Sequence, residues 1–267
     1  MINTCVVTFI YPGIELKIKK FFRSIKNQTD QNFDIIIFLN NLKKLKKIKI
    51  KQKIKLIKLN SSIIQSRFEM LKNLKKIPYK YIVFQDADDT MSKNRIKKIK
   101  IELKKNHVVV NDLDIISKKK IKKYFSHRIK NNSIVTAKNI LDYNFMGMSN
   151  TALRKKCLDK TIIPKTLKIK IFDWYFWTII LSKFKAKFIN STTTQYFVRP
   201  GSLTCLPTKL NKANYYKINP VINSHKNVIK NLIKKKIIKN IKVSNKAKIV
   251  NNIKAYNFWW EATNVQK

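Results

Sequence analysis

At 267 residues, 44% of them hydrophobic, the chain can bury one sizeable core and is too apolar for intrinsic disorder. Its 59 Lys and Arg against 14 Asp and Glu give a formal charge of +45, but the lysines lie in nearly every segment rather than in one stripe. No nucleic-acid module accompanies them, so the charge points to acidic partners and anionic headgroups in general and not to a specific nucleic acid.

The first 110 residues alternate β-branched runs with longer helix-like stretches, the pattern of βαβ units and a mainly parallel sheet. Strands are expected at 3–10, 33–39, 54–59, 80–85 and 107–111. Ile14 to Ile25 and Ile63 to Leu74 carry apolar residues at helical spacing, with Ser61-Ser62 as an N-cap for the second. Leu42 to Lys58, where Lys alternates with Ile and Leu, reads as a solvated amphipathic edge before it reads as a phosphate-facing patch. After residue 130 the pattern becomes mixed: strands near 133–136 and 146–153, a helix over about 172–183, and strands near 186–190 and 192–197. From about 209 the chain reads as a basic amphipathic helix. It is free to pack on the domain or to lie on a membrane, and Phe258-Trp259-Trp260 offers either an interfacial anchor or an aromatic cap.

Cys5, Cys157 and Cys205 form no CxxC pair, which speaks against a disulfide framework and a zinc site. No uninterrupted apolar run reaches about 18 residues, and no charged leader precedes the first strand. The expectation is a cytoplasmic protein, with peripheral contact at the inner face of a membrane left open.

Chemistry concentrates at three places. Asp86, Asp88 and Asp89 follow the apolar strand Tyr81-Ile82-Val83-Phe84, at the carboxyl edge of an α/β sheet where ligands bind. Hard oxygens there suit Mg2+ or Mn2+, which would neutralise a diphosphate. Taken alone, the turn equally reads as the cap of a following helix, with Asp89, Thr90 or Ser92 as N-cap. Asp173 opens an aromatic helix, Phe172-Asp173-Trp174-Tyr175-Phe176-Trp177. It is either a carboxylate raised in pKa by apolar surroundings or an N-cap, with Trp174 and Trp177 in the core. Arg199-Pro200-Gly201-Ser202 is either a phosphate clamp or a Pro-Gly turn. His107, His127 and His225 lack metal-ligand spacing.

In their order these pieces resemble the family 2 glycosyltransferases of the GT-A fold, over roughly residues 3 to 204. The carriers are Thr8-Phe9-Ile10-Tyr11-Pro12, Phe21-Phe22-Arg23-Ser24-Ile25 leading to Gln28-Thr29, Phe33-Asp34-Ile35-Ile36-Ile37, Ser66-Arg67-Phe68-Glu69, and the Asp-x-Asp turn. Gly147-Met148-Ser149-Asn150, Phe172-Asp173-Trp174 and Tyr196 to Thr204 complete them. The resemblance implies a Rossmann-like, mixed but mainly parallel sheet flanked by helices. Residues 1–208 would form the transferase domain, 1–110 its nucleotide-sugar half and 111–208 its acceptor half, with a helical extension over 209–267.

It further implies that Thr8, Phe9 and Tyr11 border the nucleotide base, that Asp86 contacts the ribose or sugar and shares the metal, and that Asp88 is the principal metal ligand. Arg67 would contact the donor and Arg199 the diphosphate. Asp173 would be the base of an inverting transfer from a nucleoside-diphosphate sugar to a glycan or lipid-linked glycan. Asn40 stands where the family often has an acidic residue. Phe197 and Arg199 stand where many members have Arg and His, and an Arg cannot ligate a metal.

Overall fold

The computed structural model describes residues 2–14, 17–45, 49–117, 120–141, 144–198 and 212–238, with the side chains of the last stretch from Pro220 onward. The strands are β1 (Thr4–Ile10), β2 (Asp34–Asn40), β3 (Ile54–Leu59), β4 (Tyr81–Phe84), β5 (Thr90–Met91), β6 (Val108–Ile116), β7 (Lys120–Ile121), β8 (Ile134–Val135), β9 (Thr151–Arg154) and β10 (Ala186–Phe197). The helices are α1 (Ile18–Lys26), α2 (Ile63–Lys75), α3 (Arg95–Leu103), α4 (Ala137–Ile140), α5 (Lys156–Asp159), α6 (Phe172–Leu181) and α7 (Lys212–Lys234). One mixed sheet runs β3-β2-β1-β4-β9-β6-β10-β5, with β7 on β6 and β8 on β10.

Burial follows position in that order. β1 and β2 are buried at every residue, as expected of central parallel strands covered on both faces. β3 is the edge, and its Lys55 and Lys58 are exposed. Lysine on an edge strand discourages pairing with another chain, so the solvated-edge reading holds for the described part of residues 42–58. Side chains alternate across the sheet. Cys5, Val7 and Phe9 join a core with α2 and α6, whereas Val6 and Ile10 join one with α1 and α3.

Four local expectations change. Ile14, expected to open the first helix, instead closes a turn in which Ile14 N bonds Tyr11 O and Gly13 takes φ +90°, a conformation glycine adopts freely, and α1 starts only at Ile18. The strand expected over 146–153 is confined to β9: Gly147 N donates to Asn150 Oδ1, and Thr151 Oγ1 to Gly147 O, folding the segment back. The two strands expected after residue 186 are one, β10, with its register shifted between Ile189 and Thr193. α3, read at most as a helix capped by the acidic turn, starts only at Arg95 after Asn94, and no side chain caps it. Ser62 accepts from Gln65 N at the start of α2, as expected of an N-cap there.

α7 carries Val221, Ile222, Ile229 and Leu232 into the interior. His225 is buried and stacks on Trp174 of α6 at 4.1 Å. No helix among the described residues is long and apolar enough to cross a membrane.

Candidate active site

At the carboxyl ends of β1 and β4 lies a pocket of about 500 Å³. Its walls include Phe9, Tyr11, Arg67, Asp86, Asp88, Asn144, Gly147, Ser149, Asp173 and Tyr196. Residues far apart in sequence therefore share one cavity, and six of the eight described site candidates are among them. The seventh, Asp89, sits behind the wall. Thr8 does not line the pocket. It is 1% exposed, its Oγ1 has no hydrogen-bond partner among the described residues, and strand alternation turns it to the face opposite Phe9. Its expected place beside the base is thus corrected. Arg199, the Pro-Gly turn after it, Cys205 and Phe258-Trp259-Trp260 lie outside the described residues.

Arg67 comes from α2 and stacks its guanidinium over Phe9 at 4.3 Å while facing Asp86 Oδ1 at 3.6 Å. The Phe9 ring fixes the plane of the fork and desolvates it, so Arg67 presents fixed donors to the cavity. Asn40 is spoken for: its Nδ2 donates to Ser61 O at 3.1 Å and its Oδ1 accepts from Ser66 Oγ at 2.6 Å. It ties β2 to the start of α2 and lies outside the pocket wall.

The acidic turn divides its labour. Asp86 and Asp88 face the cavity, but Asp89 is 1% exposed and caps no helix. Its Oδ1 accepts from Phe197 N at 3.0 Å and its Oδ2 meets Ser149 Oγ in a short contact. Ser149 Oγ also accepts from Asp86 N at 3.1 Å and lies 3.2 Å from Asp86 Oδ2. A hydroxyl has one proton and cannot donate to both carboxylates. Burial first, then the charges of Asp88 and Asp86, push Asp89 well above the carboxylate range. Ser149 Oγ thus joins the two carboxylates and the Asp86 amide in one hydrogen-bonded knot. Asp89 thereby fastens the turn to the end of β10, two residues before Arg199.

Beneath the turn is a residue the sequence did not single out. Arg95 is fully buried and donates to Asn111 Oδ1 at 2.8 Å, Gln85 Oε1 at 3.0 Å and Phe84 O at 3.1 Å. Burial lowers it to about 9 against the opposing pull of Asp89, so it remains a cation under the carboxylates. Asp112 on β6 was likewise missed. It accepts from Leu113 N, Phe125 N and Ser126 N at 2.7 to 3.1 Å and holds Phe125 against the pocket. A compositional signal exists: arginine stands at only six positions among 59 basic residues. In a lysine-biased chain, Arg67 and Arg95 mark sites where a planar fork is required.

Asp173 sits in the first turn of α6, after the cap Ile171. Its Oδ1 accepts from Trp174 N at 2.9 Å, and its Oδ2 lies 3.6 Å from where a Cβ on Gly147 would stand. Burial raises it to about 6, with Asp86 adding to the rise and the Trp174 bond and Arg67 opposing it. Trp174 and Trp177 are core residues, 1% and 0% exposed, so they are not free to stack on a sugar. They mount the helix instead: Trp177 and Phe176 meet Phe84 edge-on at 5.8 and 6.1 Å, and Phe172 meets Phe68 at 5.3 Å. Of this aromatic run only Phe172 lines the cavity.

Asp86 and Asp88 offer carboxylate oxygens on one wall, a donor set that fits Mg2+ or Mn2+ when substrate phosphates and water supply the remaining ligands. Among the described residues no group of three His, Cys, Asp or Glu makes a closed metal site.

An acidic turn at the carboxyl edge of the sheet, a buried arginine and a buried carboxylate thus share one cavity in a fold of GT-A architecture. The chain belongs to glycosyl transferase family 2, whose model matches residues 5–163. Solved structures agree on the fold. TarS residues 1–349 from S. aureus in complex with UDP-GlcNAc superposes with a TM-score of 0.60 at 15% identity, over 83% of this chain and 66% of that one. Its complex with UDP gives 0.59 at 14%, over 84% and 65%. GalNAc-T7 with UDP, GalNAc and Mn2+ gives 0.52 at 11%, over 74% and 43%. The chain thus spans under two thirds of the length of the solved proteins it resembles. No curated protein matches it.

Proposed function

We propose that this transferase moves a sugar, with inversion, from a nucleoside diphosphate to a hydroxyl of a glycan or lipid-linked glycan. The observation that carries the reading is the meeting of Arg67, Asp86, Asp88 and Asp173 in one cavity. The base lies against Phe9 and Tyr11. Asp86 is directed to the ribose or sugar, its carboxylate oriented by Arg67 and Ser149. Mg2+ or Mn2+, held by Asp88 and Asp86, supplies neutralising charge at the diphosphate. Arg199 is assigned to the same phosphates as a bidentate clamp. The TarS and GalNAc-T7 structures hold UDP or UDP-GlcNAc, which puts uridine donors first among those to test.

Asp173 acts as general base. With a pKa near 6 it is ionised at neutral pH yet basic enough to accept a proton. Its Oδ2 takes the acceptor hydroxyl's proton as that oxygen bonds to the anomeric carbon. The bond from that carbon to the diphosphate oxygen breaks on the opposite face, and the electron pair leaves with the diphosphate. Gly147 carries no Cβ, so the space beside Asp173 Oδ2 is left to the acceptor hydroxyl. The test is transfer from a defined donor to a defined acceptor by wild type, Asp88→Ala and Asp173→Ala. Both variants should fold and lose turnover, with product of inverted anomeric configuration in the wild type. Retained turnover by both would remove the mechanism.

A further inference from the structure

We propose that the segment 160–170 is a membrane-docking shelf that seats the mouth of the pocket on an anionic lipid surface. It is an irregular stretch, Lys160-Thr161-Ile162-Ile163-Pro164-Lys165-Thr166-Leu167-Lys168-Ile169-Lys170. Two of its large apolar side chains stand in solvent, Ile162 at 77% exposure and Leu167 at 60%, and no other large hydrophobic among the described residues exceeds Ile162. Lys160, Lys165, Lys168 and Lys170 beside them are exposed as well. Between residues 144 and 172 six lysines and Arg154 face a single acid, Asp159, which Lys155 already pairs at 2.9 Å.

The shelf is tied down. Lys75 Nζ donates to Thr161 O at 3.1 Å, Lys183 Nζ to Lys160 O at 3.2 Å and Ser224 Oγ to Lys168 O at 3.0 Å. Three elements thus hold its backbone and leave Ile162 and Leu167 pointing away from the core. Phosphate alone would attract the lysines and do nothing for the isoleucine and leucine. A bilayer does both, headgroups meeting the ammonium groups and the acyl boundary receiving the apolar tips. Leu167 and Lys170 also line the cavity, so docking would place the pocket mouth at the lipid. The acceptor side of this inference rests on the function proposed above, but vesicle binding requires no catalysis, and the two can fail separately.

The test is co-sedimentation of the full chain with vesicles of phosphatidylcholine alone and of phosphatidylcholine mixed with phosphatidylglycerol, at low and high salt. Wild type should bind the mixed vesicles, and salt should weaken it. The double variant I162E/L167E should bind ~10-fold or more weakly, while I134E, which alters an exposed apolar side chain on β8, should bind as wild type does. Circular dichroism confirms that the variants fold, since all three side chains are exposed. Equal binding by wild type and I162E/L167E would assign attraction to diffuse charge and overturn the proposal, as would failure to bind mixed vesicles or equal binding to neutral ones.

Discussion

Replacing Asp173 with asparagine should abolish transfer and stabilise the protein. The carboxyl is raised from 3.8 to about 6 by burial, so its ionised form is disfavoured in the fold. That penalty is absent below about pH 4, grows as the pH rises through the window from 3.8 to 6 and is complete above it. Two units correspond to about 3 kcal/mol at most. Because the group opens on a water-accessible pocket, about 1–2 kcal/mol is the reasonable share, equal to roughly 3–6 °C in a chain of this size.

An amide keeps the acceptor for Trp174 N, and the side-chain bond that Asn144 now makes to Asp173 can be kept with its direction reversed, the new NH2 donating to Asn144 Oδ1, which has no partner among the described residues. Asp173→Asn should therefore melt higher than wild type near pH 8 and equal to it near pH 4, while transfer falls ~10²-fold or more. Thermal unfolding at both pH values, with a transfer assay, reads both quantities. A variant that melts lower near pH 8 would show that Asp173 serves as a structural cap and refute the reasoning.

The wild-type rate should rise with pH along a limb of apparent pKa near 6, because only ionised Asp173 accepts a proton; a rate flat from about pH 5 to 8 would contradict this. Arg67→Lys should raise the donor KM about tenfold with little effect on kcat, since an ammonium cannot stack on Phe9 and face Asp86 together; steady-state kinetics decide. Arg95→Met should cost about 3–5 kcal/mol in urea unfolding, because Asn111 and Gln85 lose their buried donor. Asn40→Asp restores the acid common in the family, yet it should destabilise the protein by about 1–3 kcal/mol without tightening any nucleotide, because the bond from Asn40 Nδ2 to Ser61 O is lost and a carboxylate is buried in its place.

Much of the frame is legible in the sequence because the central strands are continuous β-branched or apolar runs. Thr4–Ile10 and Asp34–Asn40 could scarcely be anything else, and Ile54–Leu59 advertises its edge through Lys55 and Lys58. The irregular pieces escaped because side chains decide them. Residues 146–150 look extended until Asn150 and Thr151 fold them around Gly147, and β10 reads as two strands because its bulge interrupts the period. In the site, Asp86 and Asp88 could be singled out since strand-end carboxylates are rare in so basic a chain, and Asp173 because it opens an aromatic helix. Thr8 was misplaced because a motif position does not say which face of β1 it occupies. Arg95 was invisible because Arg-Ile-Lys-Lys-Ile-Lys looks like any solvated helix, and its burial depends on the distant partners Gln85 and Asn111.

The central claim is that Asp86 and Asp88 bind a nucleoside diphosphate together with a divalent cation. It is tested most directly by thermal unfolding with UDP-, GDP- and dTDP-sugars, with and without Mn2+, in wild type and D86A/D88A. At a hundredfold excess over Kd one donor should stabilise the wild type by about 2.7 kcal/mol, roughly 5–10 °C, only when Mn2+ is present, and should leave D86A/D88A unmoved. An equal shift in D86A/D88A, or no shift with any donor, would contradict the account.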